Sequence, residues 1–183
     1  MPAARESLLE AAGAALAARP WPAVKMVEVA AAAGVSRQSL YNEFGGKGGL
    51  GRALVRLEAD RYLDGVDRAL AAPGATADRL AAVAEWTVRA ARSHPLVRAL
   101  LTGFWDPDLP APGRAPGPGE LTRAVRDRAA AALMPAEDVR RCELAVRLAL
   151  SYVVAPGEEP GAAELLALLS ARSRRAATRS PRG

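Results

Sequence analysis

The chain has 183 residues and a formal net charge of +5, with half of its residues hydrophobic and a quarter charged, a globular composition that excludes a disordered chain. Its apolar stretches are short and broken by arginine, which excludes a membrane span of ~20 residues. The single cysteine, Cys142, excludes an internal disulfide and suits a reducing, cytoplasmic setting. The charge excess sits at one end. Residues 171–183 hold five arginines and no acid, whereas residues 1–50 carry five basic and four acidic side chains. The basic balance is therefore no argument for a nucleic-acid partner, and a motif has to carry it.

Abundant alanine, few β-branched residues and no alternating run predict an all-α fold of about nine helices. The start of the chain (Arg5, Glu6, Glu10) is charged and amphipathic, unlike a signal peptide. Leu8, Leu9, Ala12, Ala15 and Leu16 recur at helical spacing and predict a first helix over 5–18. Pro20-Trp21-Pro22 ends it. A second helix is predicted from Met26 to Ala33, where Gly34 supplies the positive φ of a tight turn. Ser36 caps a third helix that runs to Phe44, and Gly45-Gly46 stop it. A long fourth helix starts at Lys47 and reaches about Ala71, with Leu50, Leu54, Leu57, Tyr62, Val66 and Leu70 near one face. Thr76 is expected to cap a fifth helix through Ala91, and His94-Pro95 opens a short sixth that ends near Gly103. Residues 106–119 hold five prolines and three glycines and read as a loop, a candidate lid. Helices over 120–134, 135–154 and 160–172 follow, with Pro135 and Pro160 at first-turn positions. The expected division is a DNA-binding domain over 1–46, a helical domain for a ligand and dimerisation over 47–172, and a disordered basic tail over 173–183.

The segment from Val29 to Lys47 carries the functional argument. A short helix, a glycine turn, a serine cap and a second short helix are the parts of a helix-turn-helix. Val29, Ala33, Val35, Leu40 and Phe44 are the apolar glue, and Ala30 is small enough for close approach. On the other side of the third helix lie Arg37, Gln38, Tyr41 and Asn42. Arginine grips guanine O6 and N7, and glutamine or asparagine grips adenine N6 and N7. The hydroxyls of Ser36, Ser39 and Tyr41 suit phosphate, and so does Lys47 at the start of the next helix. One helix reaches few bases, so two copies on half-sites roughly 34–36 Å apart are expected, with palindromic double-stranded DNA as the partner.

These residues resemble the TetR (tetracycline repressor-like) family of bacterial transcription regulators. The matching pattern is Val29-Ala30-Ala31-Ala32-Ala33-Gly34-Val35-Ser36, then Leu40-Tyr41, Phe44, Lys47 and Leu50. The resemblance implies a three-helix DNA-binding domain, a linking fourth helix and a C-terminal domain that binds a small effector and dimerises. It further implies a repressor released from a palindromic operator when the effector moves the fourth helices. Two departures stand out. Lys25 takes the place where the family often has a threonine that caps the second helix and touches phosphate; it can supply the contact but not the cap. Gly48 and Gly49 replace better helix formers, which predicts a frayed start to the fourth helix.

The effector site, where one exists, falls among the few large side chains after Lys47: Tyr62, Trp86, Arg89, His94, Phe104 and Trp105. Alanines around Trp86 leave a cavity for a small hydrophobic effector, or they pack tightly with the indole as filler; the residues leave both open. Phe104-Trp105 either line a pocket mouth or anchor the Pro/Gly loop. Val139, Leu144, Val146, Leu148, Leu150 and Val153, with Leu165, Leu166, Leu168 and Leu169, supply more apolar surface than one helical layer covers, which predicts a homodimer through helices at 135–154 and 160–172. An alternative is a DNA-binding regulator whose C-terminal domain only dimerises or binds a protein partner. No enzyme, metal, cofactor or membrane role is expected. A single histidine excludes most histidine triads and multi-histidine metal sites, and Gly45-Gly46-Lys47-Gly48-Gly49 lacks the spacing and the Ser/Thr of a phosphate loop.

Overall fold

The computed structural model describes residues 2–133 and 136–155. All regular structure among them is helical: α1 (Pro2–Ala18), α2 (Met26–Ala32), α3 (Arg37–Phe44), α4 (Lys47–Leu70), α5 (Thr76–Ser93), α6 (Pro95–Thr102), α7 (Pro118–Ala132) and α8 (Ala136–Val154), with a 3-10 turn at Trp21–Ala23. The ninth helix expected at 160–172 and the basic tail lie outside the described residues.

The N-terminal unit forms where the sequence places its punctuation. Gly34 (φ 67°) turns the chain between α2 and α3, and Gly45 (φ 71°) closes α3 in the left-handed region. Ser36 caps α3, its Oγ accepting the Ser39 N–H at 3.0 Å. Lys25 stands at the N-cap of α2 without a side-chain cap bond. Leu8, Leu9 and Ala12 of α1, Val29 and Ala30 of α2, Leu40 of α3, and Leu50 and Leu54 of α4 are buried in one core. Burying each large aliphatic side chain contributes roughly 1.5–3 kcal/mol, which outweighs the weak propensity of helices as short as α2 and α3.

The same core continues along α4 into the C-terminal helices through Tyr62, Val66 and Leu70, meeting Leu80, Val83, Leu96, Leu100, Leu121 and Val125. Ala84 of α5 meets Ala145 and Ala149 of α8 in a small alanine seam. Three expectations change. The N-cap of α5 is Ala75, not Thr76: the Asp78 carboxylate accepts the Ala75 N–H at 3.1 Å, so an acid in the first turn does the capping. Regular α4 structure begins at Lys47 and includes Gly48 and Gly49. A Cβ on Gly49 would fall onto the Phe44 carbonyl, well inside 3.0 Å, so this glycine lets α3 and α4 meet. The Pro/Gly loop, Gly103–Gly117 once α7 starts at Pro118, is bonded down: Asp108 O accepts the Trp21 N–H at 2.7 Å, and Pro110 O accepts the Trp105 indole N–H at 2.8 Å.

Candidate nucleic-acid interface

The face of α3 turned away from the core is polar and open. Leu40 is fully buried beneath it, while Ser36, Arg37, Gln38, Ser39, Tyr41 and Asn42 are all exposed. Arg37 lies over the Tyr41 ring, 5.4 Å from its centroid, which steadies a long cation without removing its donors. Gln38 Nε2 donates to Asn42 Oδ1 at 2.8 Å, one turn along the helix. The pair presents two amides side by side, each with hydrogen-bonding capacity left for a base edge. Ser36 Oγ is occupied by its cap and lies 2.8 Å from Ser39 Oγ. Phe44 is half-buried under the Arg5 guanidinium at 5.0 Å, and Arg5 pairs with Glu43 at 2.5 Å, tying α1 to the end of α3.

Lys47 is more constrained than its position at a helix start suggests. Its ammonium donates to Pro22 O at 2.8 Å and lies 5.6 Å from the centroid of the Trp21 ring. Two of its three donors remain for a phosphate. Lys25 is well exposed and 3.6 Å from Glu28, which also pairs with Arg19. In the sequence, Pro-Trp-Pro marks only a helix stop; in the fold, Trp21 is the buried platform on which Lys47 rests. An aromatic between two prolines in so small a domain is the signal that points to such a role.

The six residues singled out for an effector separate into two places. Tyr62, Trp86 and His94 line a groove of about 210 Å³ between α4 and α5, together with Glu58, Arg61 and Arg68. Its back wall is solid. The Trp86 indole lies on Gly65, where a Cβ would overlap it, and donates to Tyr62 O at 2.9 Å. Tyr62 Oη is 3.1 Å from Thr87 Oγ1, and burial pushes its phenol up to about 12. Arg68 and Arg89 lie over the Trp86 ring at 5.9 and 5.5 Å. His94 Nδ1 is 3.8 Å from the carboxylate of Glu58, a buried acid that also accepts from Arg61 at 3.0 Å. Phe104, 75 % exposed, and Trp105 line a second groove of about 580 Å³ with Leu16, Pro20 and Arg98, at the junction with α1. On α8, Leu144 and Val154 are more than half exposed. Cys142 is buried, which raises its thiol to about 11.

A capped short helix with an open polar face, packed on α2 and α4 and followed by a helical C-terminal body, defines a helix-turn-helix DNA-binding regulator. Residues 8–54 match the model of the bacterial regulatory proteins of the tetR family. The HTH-type transcriptional regulator AlkX of Mycobacterium tuberculosis is 35% identical over 162 residues, covering 84% of this chain and 76% of that protein. The chain belongs to the TetR family of DNA-binding transcriptional regulators. Two solved structures share the fold. A regulator from Streptomyces coelicolor has a TM-score of 0.59 at 24% identity, over 98% of this chain and 84% of that one. The repressor AlkX from Dietzia sp., implicated in biodegradation of n-alkanes, has a TM-score of 0.58 at 23% identity, over 93% and 96%. No helix among the described residues is long and apolar enough to cross a membrane.

Proposed function

We propose that this regulator is a cytoplasmic repressor that binds a palindromic operator as a homodimer and is released by a small-molecule effector. The observation that carries the DNA half of this reading is the open face of α3. There Arg37, Gln38, Tyr41 and Asn42 stand exposed above a fully buried Leu40. Arg37 and the Gln38–Asn42 pair read bases, while Ser36, Ser39, Tyr41, Lys25 and Lys47 meet the backbone. The half-exposed Leu144 and Val154 on α8 support pairing through that helix.

The test is a binding series on an inverted repeat found beside the regulator's own gene. Arg37→Ala or Gln38→Ala is expected to cost roughly 1–3 kcal/mol for each base the side chain reads and to relax sequence choice at that position. Lys47→Ala is expected to weaken all sequences alike and lower the salt slope by about one. Variants of Arg37 and Gln38 that bind as the parent does would remove the recognition assignment.

One observation favours a second reading, in which the C-terminal domain only dimerises or binds a protein. Trp86 on Gly65 and Tyr62 against Thr87 fill the space between α4 and α5 that an enclosed effector would need. Titrating apolar compounds into the operator complex separates the two readings. An n-alkane or its oxidised products come first, given the role in which the Dietzia repressor is implicated. Release of DNA supports the effector. A complex indifferent to such compounds supports the filled domain.

A further inference from the structure

The joint between the DNA-binding unit and the C-terminal helices is built from residues that lie outside the exposed face of α3. Pro110, in the Gly103–Gly117 loop, is buried. It abuts Gly51 of α4: a Cβ on Gly51 would meet Pro110 Cβ at 2.9 Å and Trp21 Cζ2 at 3.1 Å. Trp21, Gly51 and Pro110 thus stack without room for one more carbon. Hydrogen bonds fix the stack on both sides. The Trp21 N–H donates to Asp108 O at 2.7 Å, and the Trp105 indole N–H holds Pro110 O at 2.8 Å. From Trp21 the linkage runs on into the recognition unit. Lys47 rests on the Trp21 ring and bonds Pro22 O, Val24 N–H returns to Trp21 O at 3.0 Å, and α2 begins two residues later. Beside the stack the two units leave the open groove of Leu16, Pro20 and Arg98, so the loop bridges them there as a strap.

We propose that Trp21, Gly51 and Pro110 are positioning residues: their stack fixes the direction in which each subunit presents α3, and so sets the distance between half-sites that the dimer accepts. The inference rests on the two-half-site reading above. Each base pair added between half-sites moves one of them by ~3.4 Å and turns it by roughly 35°. A rigid joint makes that displacement costly in affinity. A loosened joint absorbs part of it.

The experiment measures operator affinity of the full chain against half-site spacers one and two base pairs shorter and longer than the optimum. Pro110→Gly is the main variant, because it removes the ring, inserts nothing and keeps the carbonyl that Trp105 holds. Gly51→Ala is the second, because it wedges the stack apart. Pro112→Ala, exposed in the same loop, is the control. The parent and the control are expected to lose on the order of tenfold per base pair of misfit, which is ~1.4 kcal/mol. Both joint variants are expected to lose at most about threefold per base pair, with an unchanged salt slope and unchanged preference within the half-site. A sharp optimum in the parent that persists in Pro110→Gly and Gly51→Ala would overturn the joint while leaving the dimer reading intact. A parent with no spacer optimum would remove the two-half-site reading and the inference with it. A Gly51→Ala chain that does not fold leaves the decision to Pro110→Gly.

Discussion

Gly48 and Gly49 are adjacent, both lie in the first turn of α4, and replacing each by alanine is expected to move stability in opposite directions. Alanine is favoured over glycine in a helix by roughly 0.5–1 kcal/mol, less in the first turn. At Gly48 nothing opposes that gain. The residue is exposed, and a Cβ there meets only the Arg52 guanidinium at 3.4 Å, the far end of a flexible side chain. Gly48→Ala should therefore stabilise the fold by up to ~1 kcal/mol. At Gly49 the new methyl would overlap the Phe44 carbonyl carbon and oxygen, which are backbone and cannot rotate away. Clearing it means displacing the turn that carries the Gly45 N–H to Tyr41 O bond (2.8 Å) and the Leu50 N–H to Gly46 O bond (3.0 Å). Overpacking costs about 1–3 kcal/mol and two strained backbone bonds about 1–2 more. Against the propensity gain, the net loss is about 2–4 kcal/mol. With a urea dependence of roughly 1–3 kcal/mol per molar, the Gly49→Ala midpoint should fall by ~1–2 M and the Gly48→Ala midpoint should rise slightly. Helical circular dichroism in urea reads both. Two variants that shift together, within about 0.5 kcal/mol of each other, would refute the close-approach account of Gly49.

Gly65→Ala should destabilise the fold by about 1–3 kcal/mol, because its methyl would drive the Trp86 indole off α4 and break the bond to Tyr62 O. In a Trp86→Ala background the same substitution should instead stabilise by up to ~1 kcal/mol, and a cycle of denaturation measurements that keeps one sign throughout would exclude the packing assigned to this pair. Ser36→Ala should cost ~1 kcal/mol in thermal unfolding through loss of the α3 cap, while Ser39→Ala, which keeps its N–H and the Ser36 acceptor, should cost less. Burial raises the Tyr62 phenol from an unfolded value of 10.0 to about 12. The neutral phenol therefore contributes fully below pH 10, and that contribution, about 2–3 kcal/mol, is lost as pH rises toward 12. Stability followed against pH in Tyr62→Phe should lack that fall and keep the separate one from Cys142, whose thiol is raised from 9.0 to about 11.

What the sequence makes legible is what the chain needs locally. Gly34 and Gly45 have positive φ because a tight turn and a helix end require it, and Ser36 caps because its oxygen reaches a backbone N–H three residues on. Those three residues place α2 and α3, and the apolar spacing from Val29 to Phe44 then decides which face of α3 is left open. The residues whose meaning changes in the fold are those defined by a partner far along the chain or across a turn. Gly49 answers to the carbonyl that closes α3, Lys47 turns back onto Trp21, and Trp86 fills against α4 where its alanine neighbours also allowed a cavity. Yet one such signal is present on α4 itself. Gly51 and Gly65 are fourteen residues apart, close to four turns at ~3.6 residues each, so they lie within about 40° of each other around the helix. Each is covered by an indole, Trp21 from the DNA-binding unit on Gly51 and Trp86 from α5 on Gly65. A mid-helix glycine costs about 1 kcal/mol against alanine, and a long linking helix that carries two on one stripe retains them for what they admit. On α4 they admit one flat ring at each end, so a single helix face registers both the unit that reads DNA and the helices behind it.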